Sequence, residues 1–179
     1  HILEALFKDH KDDVCENTKI PRKLVSKITH AKKLSKKIQE SCCFLARNPA
    51  LSDKKDQLML AKIMSNPENL FLNPNLHGEV FEYLWISGVT EWADHFADSK
   101  NFRKKHAMMM LASDDMMIRA AVVGSKYAPK DVVLKAREHS SGREKQAAHR
   151  NTLFPINYAA LDYTDFSAVL GIVERDDVP

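Results

Sequence analysis

The sequence predicts an all-α fold, an α-solenoid built from about six units of about 26 residues that each contain two short helices. Two repeating columns lead to this prediction: small polar residues recur at a nearly constant step, and apolar pairs recur in the same phase. The composition agrees, because 44% hydrophobic and 28% charged residues are typical of a folded chain with a core. We therefore expect residues 1–179 to form a single helical-repeat domain.

The polar column begins with two similar loops, VGSKYAP at 123–129 and HRNTLFP at 149–155. In each loop a small polar residue stands four positions before a proline. Stepping back through the chain extends the column, with successive steps of 31, 25, 26, 26 and 26 residues, to Asn17, Asn48, Asn73, Ser99, Ser125 and Asn151. Periods of about 20–50 residues indicate repeat architectures.

The apolar column stands just ahead of each polar residue. Its members are Leu45-Ala46, Phe71-Leu72, Phe96-Ala97, Val122-Val123 and Ala148-His149. We expect these side chains to be buried, with His149 replacing an apolar residue in the last pair. Since no single unit can bury its own apolar face, stacking of neighbouring units has to supply the core.

Each unit contains two segments with apolar residues at helical spacing. The predicted first helices follow Pro129 (KDVVLKAREH) and Pro155 (INYAALDY), and the predicted second helices are MMIRAAVV at 116–123 and REKQAAHR at 143–150. Residues 1–16 are expected to form an irregular N-terminal cap, 17–47 an extended basic first unit, and 48–179 the repeats.

The order Asn-Pro, a helix ending in Leu-Ala, a Ser/Asp turn, Ile-Arg-x-Ala-Val and a further Asn/Ser turn resembles the units of leucine-rich repeat variant proteins. HEAT-like repeats are the neighbouring alternative. The likeness is best over 105–162, fair over 45–104 and poor over 1–16, and Ser52, His77 and Arg103 replace the expected proline. The resemblance implies a right-handed superhelix of paired helices and no defined catalytic activity. The cysteines that hold an iron–sulfur cluster in some members are missing here.

Positive charge is concentrated in two regions. Residues 17–39 carry eight Lys or Arg and no acid, and residues 99–151 carry twelve against five acids. In a helix over 22–38, Leu24, Ile28 and Leu34 share the buried side. The candidate polyanion-binding or partner-binding residues are Arg22, Lys23, Lys27, Lys33, Lys36, Lys37, Arg103, Lys104, Lys126 and Lys130. Nucleic-acid binding and an ordinary solvated helix face both explain this pattern.

Other clusters have simpler explanations. Glu91 and His95 are spaced to share one helix face beside Trp92, as a surface pair or as an acid–base or metal-binding pair. The methionines at 108–110 and 116–117 are expected in the core, with a pliable partner surface as the alternative. Phe81 and Trp85 are also expected in the core.

These observations favour a non-enzymatic binding module. We expect a protein partner first, and nucleic acid or another polyanion second. A DNA glycosylase-like enzyme, with Asp94 next to Trp92, is a third alternative. No metal, cofactor or membrane association is predicted. The odd number of cysteines, Cys15, Cys42 and Cys43, favours free thiols and a cytoplasmic location.

Overall fold

A computed structural model describes residues 15–16, 20–30, 43–154, 156 and 161–175. This part of the chain is helical and contains no strand, which confirms the all-α class. The α-helices with complete bounds are α1 (Arg22–Thr29), α2 (Lys54–Ile63), α3 (Gly78–Ile86), α4 (Lys104–Leu111), α5 (Met116–Gly124), α6 (Lys130–His139), α7 (Gly142–Arg150) and α8 (Phe166–Val173). Residues 43–47 are helical as well, and the segments Pro67–Leu72 and Ala93–Asp98 are 3-10 helices.

The chain divides into two compact units, His1–Asn101 and Phe102–Pro179. In the first unit, α2 packs against α1, α3 and the 3-10 helix Pro67–Leu72. Its core contains three phenylalanine rings. The rings of Phe81 and Phe96 stack with centroids 4.3 Å apart, and Phe71 meets Phe81 edge-on at 5.8 Å. The prediction of a core position is confirmed for Phe81, whereas Trp85 is only half-buried.

In the second unit, α7 lies between α5 and α8, and α6 covers α5 and α7. Small side chains allow the close approach of these helices, since Ala120, Ala147 and Ala148 are buried in their shared core. Gly171 is the tightest point. A Cβ atom at this position would lie 2.2 Å from the Gln146 carbonyl oxygen, so α8 rests directly on the backbone of α7.

The polar column is buried wherever the structure describes it, at Asn48, Asn73, Ser99, Ser125 and Asn151. Each side chain has a local role, because its oxygen accepts the backbone N–H two residues ahead, as Asn73 Oδ1 does from Asn75 at 2.8 Å. The asparagines have a second role. Asn73 Nδ2 donates to the carbonyls of Ala46, Asn48 and Leu51 at 2.8, 2.9 and 3.2 Å, about one period earlier in the chain.

The same reach-back bond recurs at other asparagines. Asn151 Nδ2 donates to the carbonyls of Val123 and Ser125, both at 2.8 Å, and Asn48 Nδ2 donates to the carbonyl of Cys15 at 2.6 Å. Buried amides are stable only when they are hydrogen-bonded. The three asparagines therefore connect their own turns to earlier segments of the chain.

The helix predictions have different outcomes. Helices α5, α6 and α7 confirm the segments predicted at 116–123, after Pro129 and at 143–150. The single basic helix over 22–38 is not observed, because α1 ends at Thr29 and His30 lies in a turn. The remainder of that segment (31–38) and most of the predicted cap (1–16) lie outside the described residues. Of the helix predicted at INYAALDY (156–163), residues 157–160 also lie outside them, and residues 156 and 161–163 are not helical. The non-proline residues His77 and Arg103 are the N-caps of α3 and α4, just as Pro129 is the N-cap of α6.

Candidate binding surfaces

Three of the five clustered methionines are not in the core. Met110 is fully buried, but Met108, Met116 and Met117 are 56%, 42% and 50% exposed. The core prediction is therefore wrong for these three residues. Met116 and Met117 occupy the first turn of α5, before the stretch in which Ile118 and Val122 turn to the interior.

Exposed apolar side chains continue at the start of α8. We call Met116, Met117, Tyr163 and Phe166 the apolar edge, since Tyr163 and Phe166 are 69% and 75% exposed. The N-terminal part of α7 connects the two ends of this edge. Arg143 Nη1 lies 3.4 Å from the Met117 sulfur, and Lys145 Nζ forms a 2.6 Å ion pair with Asp165 at the N-cap of α8. The hydrogen bond from Lys145 lowers the pKa of Asp165.

Two of the ten predicted basic residues form described ion pairs with acids in the following repeat. Arg22 pairs with Asp53, and Lys104 Nζ lies 2.8 Å from Asp131 Oδ2. The hydrogen bond from Lys104 lowers the pKa of Asp131. Lys54–Glu79 and Arg119–Glu144 have the same arrangement, at 2.8 and 2.6 Å. The positive charges of Arg22 and Lys104 are thus paired with carboxylates of the following repeat.

Lys23 and Lys27 lie together on the exposed side of α1. With Ser26 and His30 they line an open depression of about 540 Å³. His30 Nε2 is 3.0 Å from Asp56 Oδ1, which orients the imidazole at one end of the depression. Lys33, Lys36 and Lys37, which were predicted to extend this surface, lie outside the described residues.

The other predicted basic residues do not form one recognisable site. Arg103 donates through Nη1 to the carbonyl of Phe102 at 2.7 Å. Lys126 lies 5.1 Å from the ring centroid of Tyr127, its neighbour in the chain. Lys130 is exposed at the first position of α6. No contact that the structure describes joins these three side chains to one another.

Glu91 and His95 do not share a helix face, so the prediction for this pair is wrong. Glu91 lies in a turn, Trp92 has a left-handed backbone (φ 62°), and His95 belongs to a 3-10 helix. Trp92 is instead covered by a cation. The Arg47 guanidinium lies 5.5 Å from its ring centroid and is fixed by Asn69 Oδ1 at 2.9 and 2.6 Å.

Comparison with protein-family models, curated proteins and solved structures found no match for this chain. Functional arguments therefore rest on its own residues. No cluster of three or more metal-ligating side chains occurs among the residues that the structure describes. Within the same residues, no helix has the length and apolarity needed to cross a membrane.

Proposed function

We propose that this protein is a non-enzymatic binding module that holds a protein partner at the apolar edge. The observation that carries the proposal is the exposure of four large apolar side chains along the starts of α5 and α8. Exposed large apolar side chains bordered by charged residues, here Arg143 and Lys145, are typical of protein–protein contact sites, and methionine adapts its shape to varied partners. Arg143 lies beside Met117, so a partner segment with apolar side chains and a nearby acid suits this surface.

The proposal includes the stacking of successive repeats of about 26 residues into a right-handed α-solenoid of the leucine-rich repeat variant or HEAT-like kind. It also includes a location in the cytoplasm. The reach-back hydrogen bonds support this arrangement, since they join residues 22–33 positions apart, such as Asn73 to Asn48 and Asn151 to Val123. Ion pairs of similar spacing add to them, as between Lys104 and Asp131. A stack of such units presents an extended surface to a macromolecule.

The apolar edge is tested by the double substitution of Met117→Glu and Phe166→Glu. We expect the melting temperature to stay within about 2 °C of the unmodified protein, because substitutions at exposed positions change stability by only about 0.5 kcal/mol. We expect the double variant to stop capturing the proteins that the unmodified protein enriches from a cell extract. The measurement is quantitative mass spectrometry of the captured proteins, next to a thermal melt.

The matched control is Met108→Glu, which adds a charge at an equally exposed methionine on α4, outside the edge. It should leave the captured set unchanged. The proposal is wrong if the control removes the same partners, or if the double variant retains them while remaining folded.

A second function, polyanion binding through α1, is favoured by the depression that Lys23 and Lys27 line. A nucleic-acid phosphate placed there would displace counterions, so affinity would fall as salt rises. We expect the double substitution of Lys23→Glu and Lys27→Glu to weaken duplex DNA binding. It should also make the slope of log affinity against log salt concentration less steep, by the equivalent of about two phosphate contacts. Fluorescence anisotropy over a salt series measures both quantities.

Lys55→Glu with Lys135→Glu changes the charge of the chain by the same amount at exposed positions away from the depression. An equal loss of affinity in this control would mean that net charge alone is responsible. Unmodified protein that does not bind DNA even at low salt would eliminate the polyanion function.

A further inference from the structure

The second unit contains a cavity of about 300 Å³ that no pattern in the sequence predicts. One side is aliphatic and is formed by Leu134, Ile156, Leu161 and Ile172. Arg137, Glu138 and His149 supply the polar side. This size is at the lower end of the range of about 300–1,000 Å³ that small-molecule sites occupy, and such sites combine apolar walls with a few polar groups.

Arg137 supplies a half-buried positive charge to the wall of this cavity. Its guanidinium is half-buried, and it donates through Nε to the Ala148 carbonyl at 2.9 Å and through Nη2 to the Asn151 carbonyl at 3.2 Å. None of the ion pairs that the structure describes includes Arg137. These two bonds fix the direction of the guanidinium but do not neutralise its charge.

The surroundings of Arg137 add further positive charge. Burial, together with the nearby Arg175, lowers the pKa of Arg137. Arg175 is only 5% exposed and donates to the Phe154 carbonyl at 2.9 Å. Burial also lowers the pKa of His149, with Arg137 and Lys145 adding to the effect. A half-buried cation without a counterion is unfavourable, and an anion beside it removes that cost.

The acid on the cavity wall does not supply that anion. The Glu138 side chain is 70% exposed and lies 3.6 Å from His139, so water screens its charge. Lys145 and Asp165 form an ion pair near His149, and their opposite charges have opposite effects on its pKa. Of the two charged side chains that line the cavity, Arg137 is therefore the half-buried one, whereas Glu138 is mostly in solvent.

We propose that this cavity binds a small amphiphilic carboxylate, with the acid group at Arg137 and the hydrocarbon part against the four aliphatic side chains. A guanidinium suits a carboxylate because its planar N–H groups match the two oxygens. The aliphatic wall favours a ligand with a short alkyl chain over a compact inorganic anion.

The probes are octanoate, octanol and octylamine, which share one alkyl chain and differ in the charge of the head group. Each is titrated into the full chain, and methyl NMR signals of Leu134, Leu161 and Ile172 are followed. We expect saturable octanoate binding that shifts these three signals, at least about tenfold tighter than octanol, a difference of ~1.4 kcal/mol. Octylamine should bind most weakly of the three.

Two variants locate the site. Leu134→Trp fills the cavity from a position that is 45% exposed, so the fold should be retained while octanoate affinity falls at least about tenfold. Met108→Trp makes the same kind of change one period earlier in the chain and should leave the affinity unchanged. Arg137→Gln, checked for folding by circular dichroism, should reduce octanoate affinity to that of octanol.

The proposal is overturned by any of three results. These are octanol binding as tightly as octanoate, octanoate binding unaffected by Leu134→Trp, and the absence of a saturable shift in the three methyl signals. If Arg137→Gln does not fold, the comparison of head groups and the tryptophan pair still decide the question.

Discussion

Gly171→Ala is expected to destabilise the second unit by at least about 3 kcal/mol, the upper part of the range for overpacked cores. The new Cβ atom would lie 2.2 Å from the Gln146 carbonyl oxygen and 2.9 Å from its carbon, distances that real Cβ atoms do not adopt. The obstacle is the backbone of α7, which cannot rotate away as a side chain can. Helix α8 would have to move off α7.

The direction of this effect identifies its cause. Gly171 lies inside α8, where alanine is intrinsically favoured over glycine by about 1 kcal/mol. A large loss therefore reports packing and not helix propensity. Amide hydrogen exchange of α7 and α8, together with urea unfolding followed by circular dichroism, measures it.

Gly124→Ala is the matched control, because this glycine ends α5 and faces the same helix α7. A Cβ atom there would meet Ala147 Cβ at 3.5 Å, an ordinary van der Waals contact. We expect a change of less than about 1 kcal/mol, in the stabilising direction. Equal losses at Gly124 and Gly171 would show that close helix approach is not specific to α8.

Asn73→Ala is expected to cost about 3 kcal/mol in the first unit, mainly through unsatisfied buried groups. The substitution removes the donor to the Ala46, Asn48 and Leu51 carbonyls and the acceptor for the Asn75 N–H. Leu51 keeps a second donor, Gln57 Nε2 at 2.8 Å, so its carbonyl remains bonded. The Ala46 carbonyl loses the bond that joins it to the next turn.

Asn73→Ser separates the two roles of this side chain. Ser99 and Ser125 already accept the N–H two residues ahead, at 3.2 and 3.0 Å, so serine should preserve the local turn. It is too short to reach the earlier carbonyls, and we expect an intermediate loss of about 1–2 kcal/mol. Both tryptophans of the chain, Trp85 and Trp92, lie in this unit, so their fluorescence follows its unfolding in urea.

Asn66→Ala provides the control for these substitutions. Asn66 is an exposed asparagine before the 3-10 helix Pro67–Leu72, and its side chain makes no capping hydrogen bond. It should change stability by no more than about 0.5 kcal/mol. If Asn73→Ala were equally mild, the reach-back bonds would contribute little to stability.

The period of the chain could be predicted from sequence because it depends on repeated residues at fixed positions. The burial of Asn48, Asn73 and Asn151 follows from that period. Their partners do not, because reach-back bonds depend on the distance between turns. The sequence also could not show that Trp92 adopts a left-handed backbone, which separates Glu91 from His95.

The exposure and contacts of the candidate binding residues were predicted less well than the all-α class. Charge counts alone cannot show that Lys104 faces Asp131 in the following repeat, so paired and unpaired lysines look alike. The exposure of Met116 and Met117 depends on where α5 begins, within a residue or two. Arg137 gave no signal in the sequence, and the departure of His149 from the apolar column did not by itself predict a cavity.

The reach-back bonds have a fixed direction along the chain. The side-chain hydrogen bonds that the structure describes from Asn48, Asn73 and Asn151 run to carbonyls that precede them in sequence. During synthesis on a ribosome, each of these turns therefore emerges after the turn that receives its amide. When such a turn is synthesised, the carbonyls that accept the hydrogen bonds of its asparagine are already part of the chain. The asparagine of the earliest turn therefore needs no acceptor that is synthesised later. The asparagine bonds can thus form in the order of translation, from the N-terminus to the C-terminus.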